Sequence, residues 1–314
     1  MAALIGRRML AAIPLLLFVT ALVSAFTVFI PGDPAVYVAG ENATVEQIEQ
    51  TRERLGFDDP WPVRYAEWLG QALQGNLGES VFSASPVSEL LAERMPVTLA
   101  LTLSALLFAV LVGIPAGTIA ALNPDRWPDK VVRGIATLGI ALPGYWLGLL
   151  LLLVFAVYLG LFPTLGYTPL HQDPLDWLRH ILLPSVALGA PAAAEVARQL
   201  RRSMLDTLNQ DFLRTATAKG LRRHTVLGKH ALKHAAGPIV TVLATQMALL
   251  LGAAVIIEKA FTIPGIGELA VSSVINKDVP VVQGIVVVST VVIVVTNLAA
   301  DITNAWLSPK SQSQ

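Results

Sequence analysis

The 314-residue chain contains no cysteine, so neither a disulfide framework nor a thiolate metal site is available to it. Charge is scarce as well: 14% of residues are Asp, Glu, Lys or Arg against 54% hydrophobic, far to the apolar side of soluble domains. Phosphate-cradling text is missing. A Walker loop ends in Gly-Lys-Ser or Gly-Lys-Thr, and Gly228-Lys229 is followed by His230, so the chain cannot hydrolyse ATP in that way. His230 and His234 stand at i and i+4 but lack the Glu of a zinc-protease motif, which leaves them a structural or docking role. No polar constellation at membrane depth points to a membrane-embedded enzyme. The text shows no internal repeat, as the inverted halves of many secondary transporters would.

What is present is apolar sequence in long runs. Crossing about 30 Å of hydrocarbon takes roughly 20 helical residues. Five uncharged runs meet that length: Met9 to Ile30, Met95 to Asn123, Gly134 to about Phe162, Ala235 to Ile257 and Val279 to Ala300. A sixth, Ile181 to Ala194, is short, holds Pro184 and Pro191, and continues into Glu195, Arg198 and Arg201. Backbone groups must be satisfied within each segment and nothing alternates like a barrel strand, so the spans are helices. The expected class is an all-α integral membrane protein with six transmembrane helices. Arg7 and Arg8 before an apolar run resemble a signal peptide, but the run extends to Ile30, longer than a typical signal core, and reads as a retained first span.

Charge placement orients these helices. Arg7 and Arg8, the 124–133 loop, the 195–236 segment and the tail from Asp301 hold 15 of the 22 Lys and Arg residues. By the positive-inside rule that face is cytoplasmic, which places both termini inside. The organisation expected is a first helix with a cytoplasmic N-terminus over 1–30, an extracytoplasmic segment over 31–94, a five-helix core over 95–308 with a cytoplasmic loop at 206–236, and a short tail at 309–314. In the outer segment, Thr44 with Gln47 reads as a capping box opening a helix that ends near Leu55-Gly56. Pro60 and Pro86 each mark a further helix start. Trp61, Tyr65, Trp68 and Leu69 suit a helix lying at the interface, and the outer segment as a whole reads as a packed cap over the outer helix ends.

The most informative stretch runs from Arg198 to Lys233, where nine Lys and Arg residues lie between two apolar segments. A helix over Leu208 to Lys219 is expected to present Leu208, Phe212 and Ala216 as an apolar strip flanked by Asp211, Arg214 and Lys219. Gly220 then allows a sharp turn, and Thr225 to Leu232 starts a second helix at an angle. Glu195 lies one turn from Arg198 and reads as a local i, i+3 ion pair. Asp301, with Asn297 and Asn304 a turn away on either side, reads as a helix-packing residue.

The segment Gln210-Asp211-Phe212-Leu213-Arg214-Thr215-Ala216-Thr217-Ala218-Lys219-Gly220-Leu221, followed by Lys229-His230-Ala231-Leu232-Lys233 and Pro238, resembles the coupling loop of permease subunits of binding-protein-dependent ABC importers. Within that family it is similar to the dipeptide, oligopeptide and nickel branch. Pro31-Gly32-Asp33-Pro34-Ala35, Gly75-Asn76-Leu77-Gly78-Glu79-Ser80 with Pro86-Val87, and Phe261 to Gly267 followed by Asp278-Val279-Pro280 extend the resemblance over nearly the whole chain. Where many importer permeases carry Glu-Ala-Ala and Leu-Pro, this chain has Arg214-Thr215-Ala216 and Leu232-Lys233, the form of the peptide and nickel branch; His234 stands at an expected asparagine.

The resemblance implies a type I ABC importer permease fold in the prokaryotic cytoplasmic membrane. It implies an ATPase-coupling role for Asp211, Phe212, Arg214, Thr215, Ala216, Ala218, Lys219, Gly220, His230, Ala231 and Leu232. It also implies four kinds of partner: a second homologous permease subunit, two cytoplasmic ATPase subunits, an extracytoplasmic solute-binding protein and membrane lipid. ATP and Mg belong to the ATPases, so no cofactor and no nucleic acid is expected on this chain. Di- and oligopeptides are the first expected cargo, with nickel or a chelate, or glutathione, as alternatives.

Overall fold

In a hydrocarbon layer every backbone N–H and C=O must be satisfied locally, and the chain answers with helices. The computed structural model describes residues 2–26, 34–39, 43–54 and 58–307. In chain order these form α1 (Ala2–Phe26), α2 (Pro34–Ala39), α3 (Val45–Arg54), α4 (Trp61–Ala72), α5 (Val87–Leu122), α6 (Trp127–Ala141) and α7 (Gly144–Leu151). There follow α8 (Pro174–Leu208), α9 (Asp211–Ala218), α10 (Arg223–Thr225), α11 (Lys233–Phe261), α12 (Ile266–Ile275) and α13 (Val279–Leu307). Two π-helical turns, Leu152–Tyr158 and Val226–Leu232, continue α7 and lead from α10 into α11. Among the described residues the only extended pairing is an isolated bridge between Glu79 and Pro86.

Among the described residues four helical stretches are long and apolar enough to cross a membrane: Val87–Leu122, Pro174–Leu208, Val226–Phe261 and Val279–Asn304. The run from Gly134 to Phe162 is not one straight span. It divides into α6 and α7, bent by 101° to each other, because Pro143 disfavours helical backbone at Leu142, which is extended at φ −82°, ψ 129°. Pro184 and Pro191 of the short run Ile181 to Ala194 lie inside the unbroken 35-residue α8. Membrane helices tolerate proline where neighbouring groups satisfy the freed carbonyls. In α1, Ile13–Ala25 forms a shorter apolar helical stretch.

The helices divide into two compact units, residues 1–97 with 264–294, and residues 98–263 with 295–314. In the first, the Thr44 and Gln47 capping box forms as the sequence predicts: the Thr44 N–H donates to Gln47 Oε1 at 2.9 Å and the Gln47 N–H to Thr44 Oγ1 at 3.3 Å. The expected helix end at Leu55-Gly56 and the segment Pro31-Gly32-Asp33 lie outside the described residues. Helix α4 fully buries none of its residues and does not sink into a core. It leans on α1 instead, where the Tyr65 hydroxyl donates to the Leu17 carbonyl at 3.0 Å and lies 2.9 Å from the Thr20 hydroxyl. The proline at 86 opens no separate short helix; α5 starts at Val87 and continues to Leu122.

Two of the sequence motifs meet in this first unit. The Ser80 hydroxyl donates to the Asp278 carboxylate, which also accepts from the Val81 N–H at 3.1 Å. The Trp68 indole N–H donates to the Leu77 carbonyl at 3.2 Å, and the Val87 N–H to the Gly78 carbonyl at 3.0 Å. Val87, Leu91, Ile266, Val281 and Ile285 form the apolar core beside them.

The second unit is built around α8, the most enclosed of the membrane-length helices. Small residues allow this. A Cβ on Gly113 would lie 2.7 Å from the Ala193 carbonyl oxygen, one on Gly117 2.6 Å from that of Ala197, and one on Gly189 2.5 Å from that of Ala105. The backbones of α5 and α8 therefore approach closely, as packing driven by van der Waals contact in lipid requires. Glu258, fully buried on α11, accepts a hydrogen bond from the Thr98 hydroxyl at 2.5 Å.

Candidate functional site

The basic loop folds into an elbow whose inner side is apolar. Helix α8 runs to Leu208 and closes with Asn209, and the Gln210 N–H bonds the Thr207 carbonyl at 3.0 Å. Leu208 thus belongs to α8, and the loop helix is the shorter α9, with Asp211 in its first turn where the helix dipole favours an acid. Leu213 and Ala216 are buried in a cluster with Val196, Leu200, Met204, Val226, Ala231 and Ala235. The strip expected from Leu208, Phe212 and Ala216 is therefore not the outward face. Asp211, Phe212, Thr215, Ala218 and Lys219 are the exposed members, with Phe212 at 41% exposure. The reason is helical period: 211, 215 and 218 repeat on one side of α9, while 213 and 216 turn to the core.

After α9 the backbone turns at Gly220, whose φ is +75°, and a Cβ there would meet nothing within 4 Å. The need for glycine is conformational, since L-residues seldom enter this region. The Leu221 N–H returns to the Ala216 carbonyl at 3.4 Å, and Thr225 and Val226 bond back to Arg222. The second helix does not stand alone, for α10 and the π-turn Val226–Leu232 run directly into α11. Of the other site residues, Ala231 is fully buried, His230 and Leu232 are half-buried, and the Arg214 side chain lies outside the described residues. The His234 ring sits 5.2 Å from the Phe212 ring, so the departure from asparagine supports the outward aromatic. Beside the elbow, a groove of about 890 Å³ runs between the end of α5 and α9, walled by Leu122, Leu205, Leu208, Leu213 and Leu221.

The brace behind the elbow was not visible in the sequence pattern. Asp129 in the first turn of α6 is fully buried and receives two parallel bonds from Arg201, Nε at 2.6 Å and Nη2 at 2.7 Å. It also accepts from the Asp125 N–H at 2.9 Å, and Arg133 Nε lies 3.6 Å away. A fork of this kind is the strong form of a charge-assisted hydrogen bond. The local pair of Glu195 with Arg198 forms as read from the sequence. On the Asn304 side of Asp301, the Asn304 amide donates to Thr241 at 3.0 Å, joining α13 to α11.

Helices of membrane length and a positively charged loop between them describe an integral membrane protein with a basic elbow. Residues 113–313 match the binding-protein-dependent transport system inner membrane component family, and residues 1–102 match its N-terminal domain; the chain belongs to that family. It is a permease of the binding-protein-dependent ABC importers, in the peptide branch. It is similar to a putative peptide transport system permease protein of Brucella abortus, with 39% identity over 99% of both chains. A glutathione transport system permease protein of Escherichia coli is 40% identical over 96% of both. A chain of the MetNI methionine ABC transporter, solved in inward-facing conformations, has the same fold at a TM-score of 0.58 and 18% identity, covering 70% of this chain and 97% of that one.

Proposed function

We propose that the chain is one of two permease subunits of an ATP-driven importer of di- or oligopeptides, with six spanning helices, both termini cytoplasmic and α9 as the helix that docks in its ATPase. The observation that carries this reading is the shape of the elbow. Asp211, Phe212, Thr215, Ala218 and Lys219 face outward, while Leu213 and Ala216 are locked into the α8 and α11 packing behind them. Force applied to the outer face reaches two membrane helices through that packed cluster, because close-packed side chains transmit displacement. The chain supplies no nucleotide chemistry of its own, so the ATPases would be separate subunits and an extracytoplasmic binding protein would deliver cargo. One chain would line half of the pathway.

Two results support peptides as cargo: the Brucella relative is named for peptide transport, and the Escherichia coli relative for glutathione, a small peptide-like solute. Glutathione is the second reading. Mass spectrometry of the ligand retained by the partner binding protein distinguishes peptide, glutathione and nickel chelate. The coupling role is tested by Gly220→Val, which forces a β-branched residue into a positive φ. Membrane insertion should be kept while ATP hydrolysis no longer drives uptake; normal uptake by this variant would overturn the role of the joint.

A further inference from the structure

A second charged site lies away from the α9 face. Helices α6 and α8 run antiparallel: Asp129 bonds Arg201 at one end, and a Cβ on Gly139 would touch Ala194 at 3.4 Å toward the other. Between them opens a cleft of about 510 Å³. Its lining is graded along α6, and α8 contributes Ala197 beside its three arginines. Arg133 of α6 and Arg198, Arg201 and Arg202 of α8 stand at one end, while Ala136, Ile140 and Ala141 lead away from them on α6. From Arg133 to Ala141 the rise is about 12 Å, which carries the lining from a membrane interface into hydrocarbon.

The arginines are not all spoken for. Arg201 is committed to Asp129, Arg133 shares Asp129 and Asp125, and Arg198 pairs with Glu195. Among the described residues Arg202 makes no ion pair, and its side chain is exposed. A cleft with a cationic mouth, one uncommitted guanidinium and apolar walls running into the bilayer matches an anionic group attached to an alkyl chain.

We propose that this cleft is a binding site for an anionic phospholipid, its phosphate at Arg202 and one acyl chain along Ala136, Ile140 and Ala141. The lipid seals α6 to α8 directly above the Asp129 brace. The inference rests on the membrane orientation proposed above and not on the cargo or the ATPase.

The test is native mass spectrometry of the full-length importer assembly in detergent, titrated with phosphatidylglycerol or phosphatidylcholine. Phosphatidylglycerol should be retained severalfold better. Arg202→Gln should weaken that retention about fivefold, the size expected for one basic residue lost beside anionic lipid. Lys130→Gln, an exposed cation on α6 outside the cleft, should leave it unchanged. Thermal melts separate the sources of phosphate: phosphatidylglycerol should stabilise the wild type, and inorganic phosphate at equal concentration should not. Equal retention of both lipids, equal losses in both variants, equal stabilisation by inorganic phosphate, or displacement of the lipid by a soluble tripeptide would each overturn the assignment. Labelling of Lys219→Cys reports the orientation separately, so a failed topology is not mistaken for an empty cleft.

Discussion

Asp129 shows what a single buried charge demands of its surroundings. It has no solvent contact, and Arg201, Arg133 and the Asp125 N–H satisfy it between them. Removing one partner of a buried pair leaves the other uncompensated, at roughly 3–5 kcal/mol. Asp129→Ala should lower the apparent melting temperature of the purified chain sharply, while the double variant Asp129→Ala with Arg201→Leu should recover much of it. A double variant as unstable as the single one would show that the brace acts through something other than charge. Glu195 with Arg198 makes the contrast. The pair is local, partly exposed and worth little, since exposed i, i+3 pairs contribute a few tenths of a kcal/mol.

Elements behave as the residues on their two faces dictate, and α9 allows folding and docking to be separated. Leu213 is 4% exposed in the core behind the elbow, and its truncation to alanine should cost about 2–5 kcal/mol and reduce the folded yield. Phe212 is outward, so Phe212→Ala should melt near the wild type yet lose ATPase binding in a pull-down. If both variants melt alike and both bind, the outer face of α9 is not a docking surface. The α5 and α8 crossing gives a second test. Gly117→Leu places a side chain against the Ala197 backbone and should cost about 3 kcal/mol or more. Gly134→Ala, on an exposed stretch of α6 with nothing within 4 Å, should be neutral or gain about 1 kcal/mol of helix propensity.

What could be read from the text alone follows the same division. The Thr44 and Gln47 box, the Glu195 and Arg198 pair and the glycine turn at 220 are set by residues at most a few positions apart, and all three appear where the spacing puts them. Asp129 and Arg201 are 72 positions apart, Ser80 and Asp278 198 apart, and no period connects them. Their meeting depends on which helices pack together. The face of α9 departs from its spacing for a related reason: the helix break at Asn209 leaves Leu208 on α8, and the buried apolar strip of α9 is Leu213 and Ala216.

At the scale of the whole molecule, orientation is the quantity on which the coupling role depends, since an elbow on the outer face could not reach a cytoplasmic ATPase. The surplus of Lys and Arg on the elbow face argues for the cytoplasm through the positive-inside rule. The absence of native cysteine makes the chain a ready background for measuring it. Lys219 and Gln74 are both exposed, one beyond α9 and the other just after α4. In intact cells a membrane-impermeant maleimide should label Gln74→Cys and spare Lys219→Cys. In inverted vesicles the pattern should reverse. Labelling of Lys219→Cys from outside would place the elbow on the wrong face for an ATPase, and the importer mechanism could not operate through it.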